Sequence, residues 1–298
     1  MRIKKEVRKI VASVLAFLMV VSLIPVNSLM TKANAASKTT FEGGKTVEDG
    51  TWKGWTWNVF GSSTDVTKAF ATDTGNGGVT LEVTGDKGKI NGSASDQGLN
   101  TFLYELDKSY DFTITAQAKV DTLAANAQAA FGLTIRDNVG AHGNTAKLTA
   151  DKNNFAFVGG YGNQAASGHG NAGYKTTALA HTRLGESPEV GGTYDLAIQK
   201  VGDSVKLYFN GEVAAECSAD DLITDNAMYV GLFAARNAKV TFNNVKLAYT
   251  QDSSSVKVTT NVTAPKKTTY CAGNTYEDVD LTGFKATRSE ERRVGKEC

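Results

Sequence analysis

Met228-Tyr-Val-Gly-Leu-Phe-Ala-Ala-Arg236-Asn-Ala-Lys-Val-Thr-Phe-Asn-Asn-Val-Lys-Leu247 is the stretch that decides the fold. Its first half, Met228 to Ala235, is almost continuously apolar, as a strand covered on both faces must be. Arg236-Asn237 breaks the run. The second half alternates, with Val240 and Phe242 on one face and Lys239 and Thr241 on the other. After Phe242 the apolar phase slips by one, to Val245 and Leu247. One extra residue at Asn243-Asn244 accounts for the slip, so a β-bulge is expected there. The pair is expected to close a β-sandwich.

Working back along the chain, the same period recurs. Phe112, Ile114, Ala116, Ala118 and Val120 alternate without a break. Strands are also expected at Val79–Thr84, Thr101–Leu106, Ala129–Ile135, Phe155–Gly160, Tyr194–Ile198 and Val205–Phe209. Asn210-Gly211 then supplies a type I′ turn into 212–216. Thr51–Phe60 carries all three tryptophans, Trp52, Trp55 and Trp57. Residues 161–192 lack periodicity and exceed an ordinary loop, which marks them as functional or loosely ordered. No amphipathic helix of useful length interrupts the series. The expected fold is all-β, with ten or eleven strands between residues 51 and 249.

The ends read differently. Arg2, Lys4, Lys5, Arg8 and Lys9 precede an apolar run from Ile10 to Ile24 and a small-x-small site at Ala33-Asn34-Ala35. That is the pattern of a secretory signal peptide over residues 1–35, with no membrane attachment after cleavage. Residues 36–50 read as a loose leader, 251–255 as a polar linker, and 256–287 as the start of a second domain. Arg288–Cys298 is aperiodic and charge-dense, and reads as a translated non-coding tail.

The chain holds 32 basic and 31 acidic residues. Six basic and one acidic fall in the signal, four and three in the tail, leaving 22 against 27 and a net charge of −5. With no basic block, nucleic-acid binding has no electrostatic support. The cysteines are Cys217, Cys271 and Cys298, too few and too scattered for a disulfide framework. His142, His169 and His181 lie 27 and 12 residues apart in Gly-rich sequence, without zinc-ligand spacing.

Four segments in order, Gly85-Asp-Lys-Gly-Lys-Ile-Asn-Gly92, Phe131-Gly-Leu-Thr-Ile-Arg-Asp137, Gly192-Thr-Tyr-Asp-Leu196 and Tyr229–Val245, resemble the concanavalin A-like (jelly-roll) β-sandwich placed ahead of the catalytic part in secreted bacterial pectate lyases. The resemblance covers about Gly50 to Tyr249, so residues 51–250 are taken as that domain. Pro265–Tyr270, Gly273-Asn274 and Asp280–Gly283 resemble the opening of a bacterial immunoglobulin-like repeat, cut short near Thr287. The resemblance implies a secreted or cell-surface bacterial protein. It implies a non-catalytic carbohydrate-binding or accessory module whose partner is plant cell-wall polysaccharide, pectin or polygalacturonate. An adhesin or stalk carrying immunoglobulin-like repeats is the other reading.

Sandwich glucanases of this fold place three acids on one strand as Glu-x-Asp-x-x-Glu. The nearest match here, Glu105-Leu-Asp107-Lys-Ser-Tyr110, puts a tyrosine where the second catalytic carboxylate belongs, which speaks against hydrolysis. For binding, Trp55 is a candidate stacking surface, against its alternative role in the core. Arg136-Asp137 and Arg236-Asn237 each follow an apolar strand, where packing needs no polar pair. If those ends meet, two guanidiniums flank one site and can clamp a uronate carboxylate, with Tyr161 and the 161–192 stretch as a wall. The alternative is that each arginine bridges loop carbonyls. Lys87 and Lys89 are weaker candidates. Calcium is common in this superfamily, and Asp73–Asn76 could supply oxygen ligands.

Overall fold

The computed structural model describes residues 39–251, apart from 62–63, 91–96, 127, 149–153, 163 and 171–179, together with strands at 258–263 and 285–290. The strands are β1 (Thr39–Thr40), β2 (Trp55–Phe60), β3 (Ala69–Gly75), β4 (Gly78–Val83), β5 (Leu99–Asp107), β6 (Tyr110–Leu123), β7 (Ala130–Arg136), β8 (Phe155–Tyr161), β9 (Gln164–Gly170) and β10 (Ala180–Arg183). They continue as β11 (Thr193–Val201), β12 (Ser204–Phe209), β13 (Glu212–Ser218), β14 (Ala227–Ala235) and β15 (Ala238–Gln251). A single helical turn, Ala219–Leu222, follows β13, with the Ser218 hydroxyl capping it by accepting from Asp221 N.

Two antiparallel sheets face each other. One runs β1-β3-β4-β15-β6-β11-β12-β13, the other β10-β9-β8-β7-β14-β5-β2. The all-β sandwich expected from the alternation is therefore met. Inward residues such as Leu81, Ile114, Val120, Phe131, Leu133, Val230 and Phe242 interdigitate as one core.

The closing strands close the sandwich by joining its sheets. β14 lies between β5 and β7 in one sheet, and β15 between β4 and β6 in the other. Arg236 and Asn237, at φ of 52° and 40°, turn the chain from one layer to the next. The bulge stands where expected: Asn243 pairs with Gln117 and Lys246 with Thr115, so two residues of β15 oppose one of β6, and Asn244 takes φ 52°.

The apolar run of β14 has its physical cause in a second cluster. Met228, Val230, Leu232 and Ala234 face the inter-sheet core, whereas Phe233 and Ala235 pack with Phe60, Ile90, Leu99, Phe155 and Phe157 on the outer face of the same sheet. Val139 and Leu148, from the connection after β7, lie against that cluster. The outer face of the other sheet is polar, for example Thr80, Thr241 and Asp121 hydrogen-bonded side by side.

Three expectations change. The leader is part of the sandwich from residue 39 on: β1 pairs with β3, Phe41 packs on Phe102 at 4.5 Å, and Val47 N donates to Trp55 O at 2.8 Å. The aperiodic 161–192 stretch contains β9, rich in small residues that carry no alternation, and the four-residue β10, too short to show a period. Among the described residues fourteen strands, β2 to β15, stand between residues 51 and 251. Beyond the sandwich, Val258–Thr263 pairs antiparallel with Lys285–Glu290, which runs through the boundary expected at Thr287. The signal segment lies outside the described residues. Among those described, no helix is long and apolar enough to cross a membrane.

Candidate functional site

The register separates the two arginines. β7 and β14 run antiparallel, with Tyr229 opposite Arg136 and Ala235 opposite Ala130. Arg136 thus ends β7 at one end of the sheet, and Arg236 follows β14 at the other. Seven register steps, about 23 Å of strand, separate their backbone positions. The expectation that they flank one site is not met.

Arg136 is fully buried. Its guanidinium lies 5.5 Å from the Phe60 ring centre and 5.2 Å from that of Phe155, and donates to Gln97 Oε1 at 2.8 Å and Asn138 O at 3.2 Å. Burial pulls it down to about 10, so it stays cationic at neutral pH. Asp137 is buried beside it, accepting from Asn154 N at 2.9 Å and Thr224 Oγ1 at 3.3 Å. Burial pushes its carboxyl up to about 6. The pair ties down the connections crossing the outer face, and neither side chain meets solvent.

The tryptophans are interior. Trp52, Trp55 and Trp57 are 5%, 5% and 8% exposed. Trp55 stacks on Phe102 at 5.2 Å and 16°, and Trp57 Nε1 donates to Asn100 Oδ1 at 2.7 Å. No sugar ring reaches them in this conformation. Asp107 closes the β5–β6 turn, accepting from Ser109 N at 2.9 Å and Ser109 Oγ at 2.7 Å. In the β3–β4 turn the Asp73 carboxylate accepts from Gly75 N at 2.8 Å. Among the described residues no three acidic, histidine or cysteine side chains converge.

The Arg236 end of the seven-stranded sheet gathers other candidates. Arg236 is half-buried, its Nε donating to Gly88 O at 3.1 Å and its Nη1 to Asn126 Oδ1 at 3.4 Å. Gly88 sits between exposed Lys87 and half-buried Lys89, so two lysines flank in sequence the carbonyl that Arg236 engages. Asn237 is a staple. Its side-chain amide nitrogen faces Thr84 O and Gly85 O at 3.0 and 3.1 Å. It also lines a shallow pocket of about 180 Å³ with Glu82, Thr84, Thr122 and Lys239.

Tyr161 ends β8 opposite Ala130, hence at this same end. Arg183 of β10 lies over its ring at 5.8 Å and donates to Tyr161 O at 3.1 Å, and it is exposed. Arg183 is the residue that sequence reasoning missed. It stands in the aperiodic stretch, and only its register opposite Ala166 places it on the outer face. The end therefore presents Arg236, the Lys87–Lys89 loop it contacts, and the Arg183–Tyr161 pair, spread along one edge of the sheet, with Asp86 as an exposed acid in that loop. Such an arrangement can hold carboxylates by charge-assisted hydrogen bonds while an aromatic edge orients the sugar.

No protein-family model matches the chain. It is 29% identical over 235 residues to pectate lyase L of Thermoclostridium stercorarium, which covers 78% of this chain and 18% of that protein. The chain thus spans about a fifth of its relative's length. Among solved structures, lectin II from Ulex europaeus aligns at TM-score 0.45 and 10% identity, covering 72% of this chain and 99% of that one. The carbohydrate-binding module CBM66 from Bacillus subtilis aligns at TM-score 0.40 and 17% identity, covering 65% and 94%.

Proposed function

We propose that the chain is a secreted, non-catalytic carbohydrate-binding or accessory module of a larger polysaccharide-degrading protein, a pectate lyase, and that it binds acidic plant cell-wall polysaccharide. The relationship to pectate lyase L carries this reading, since it extends over 78% of the chain. The binding surface is the Arg236 end, with Arg236 and Arg183 as carboxylate clamps, Lys87 and Lys89 adding attraction, and Tyr161 as the aromatic edge. Residues 51–250 hold 16 basic and 20 acidic residues, a net charge of −4, so attraction of an acidic polymer rests on local cations such as these. Holding the parent enzyme on its polymer raises local substrate concentration.

Affinity electrophoresis of the secreted chain in polygalacturonate gels tests this. Retardation is expected, weakening with salt. Arg236→Ala and Arg183→Ala should each weaken it by about fivefold or more. Absence of retardation in every plant polysaccharide would leave a spacer or adhesin stalk as the reading.

A further inference from the structure

Three tyrosines stand together at the opposite end of the sandwich, where the two sheets part. Tyr110 and Tyr249 lie stacked at 5.9 Å and 17°, and Tyr104 is 5.7 Å from Tyr249. Their strands are β6, β15 and β5, so the cluster bridges both sheets. Tyr249 is 42% exposed, among the most exposed large apolar groups of the described residues.

The cluster is more than a plug for the open end. A plug needs one ring turned inward, whereas here a parallel pair stands partly in solvent. The rings are locked as well. The Tyr104 and Tyr249 hydroxyls bond to each other at 3.0 Å, which pushes Tyr104 up to about 12. Trp55 meets Tyr104 edge-on at 5.9 Å from beneath. Gly54, at φ 84°, lies so close that a Cβ there would sit 2.5 Å from the Tyr104 ring, so a turn forms one wall. Side chains held this way lose little freedom when a ligand arrives.

The charges around the rings are mixed. Lys200 Nζ donates to Tyr110 O at 3.1 Å and lies 3.8 Å from Asp111 Oδ1. Asp107 is engaged by Ser109, and exposed Lys53 flanks Gly54. No positive field gathers here, unlike the Arg236 end. We infer that Tyr104, Tyr110 and Tyr249 form a second glycan-binding site, a stacking platform for the C–H face of a neutral pyranose chain. This rests on the carbohydrate-binding reading and adds to it a neutral glycan class held on the face away from the acidic-polymer site.

The test measures retention of the full chain in gels holding β-galactan, xylan or mannan, beside polygalacturonate. Wild type should be retained by at least one neutral polymer. Tyr249→Ala and Tyr110→Ala should weaken that retention about tenfold. Tyr249→Phe should stay within about threefold, since the hydroxyl serves only Tyr104. All three should keep polygalacturonate binding, and Arg236→Ala should show the reverse pattern. A thermal melt of each variant identifies any that fails to fold, and Tyr249→Leu, which keeps apolar bulk but removes the flat ring, then carries the comparison, with neutral-polymer retention expected to fall about fivefold. Retention on polygalacturonate alone, or neutral retention indifferent to Tyr249→Ala, overturns the platform and leaves the first site standing. Retention on neither polymer overturns both.

Discussion

Asn100 holds the two sheets together, and its removal has a magnitude that follows from the structure. The residue is 1% exposed on β5. Its Oδ1 accepts from Trp57 Nε1 at 2.7 Å, and its Nδ2 donates to Phe70 O at 2.9 Å and Glu82 O at 3.0 Å. The first partner is in its own sheet and the other two are across the core, on β3 and β4. Asn100→Ala strands the indole N–H, at about 1–3 kcal/mol, and removes two further bonds at about 1 kcal/mol each. The total is about 3–5 kcal/mol, a fall in Tm of about 6–20 °C for a domain of this size. Urea unfolding followed by tryptophan fluorescence measures it. Trp57→Phe completes a double-mutant cycle, with an expected coupling above about 1 kcal/mol. Asn100→Asp adds a sign test. A carboxylate facing two carbonyls has a raised folded pKa, so its protonated form is favoured and stability is lost as pH rises through that pKa. This variant should recover at acid pH. A loss below about 1 kcal/mol for Asn100→Ala, or strict additivity with Trp57→Phe, would refute the bolt.

Further outcomes follow from the same reasoning. Asp137 has a folded pKa of about 6, above its unfolded value, so its contribution is fully present at low pH and is lost as pH rises from about 4 through about 6; Asp137→Asn should therefore gain stability relative to wild type between pH 4.5 and pH 8, by up to about 3 kcal/mol, and a flat difference in melts counts against it. His142 accepts from Val59 N at 3.2 Å through Nδ1, and burial lowers its pKa; stability conferred there should be lost as pH falls below about 6.5, with faster exchange of the Val59 amide as the readout. A Cβ on Gly159 would lie 2.1 Å from Phe131 O, so Gly159→Ala should cost more than about 3 kcal/mol or prevent folding, whereas an unchanged melt would mean the strands can separate.

Strands with one wet face announced themselves. In β6 the inward Phe112 to Val120 series alternates with half-exposed polar residues, and the period is visible in the sequence alone. β14 was legible for the opposite reason, since cover on both faces removes polar residues altogether. β9 was not, because Ala165, Ala166 and Gly168 fill both faces with small groups and leave no contrast to read. The site depended on what composition cannot carry. A polar pair after an apolar run marks a strand end, but whether two such ends meet depends on strand direction and register. Arg136 and Arg236 look alike in sequence, yet antiparallel pairing sends one into a buried network and the other to a solvent-facing rim. Arg183 joins that rim only through its pairing opposite Ala166.

The placement of β14 and β15 also sets when this domain can fold. Each is the last sandwich strand made for its sheet, yet each occupies a central position. Until they exist, β5 and β2 are severed from β7, and β3 and β4 from β6. Synthesis must reach Ala235 before the seven-stranded layer is continuous and run on into β15 before the eight-stranded one is, so the contacts that join the halves of each layer form late. Earlier strands can pair locally, as β6 with β11 and β7 with β8, but the two layers become whole only when the final two strands arrive, which would suit a chain that is exported unfolded, as proposed above.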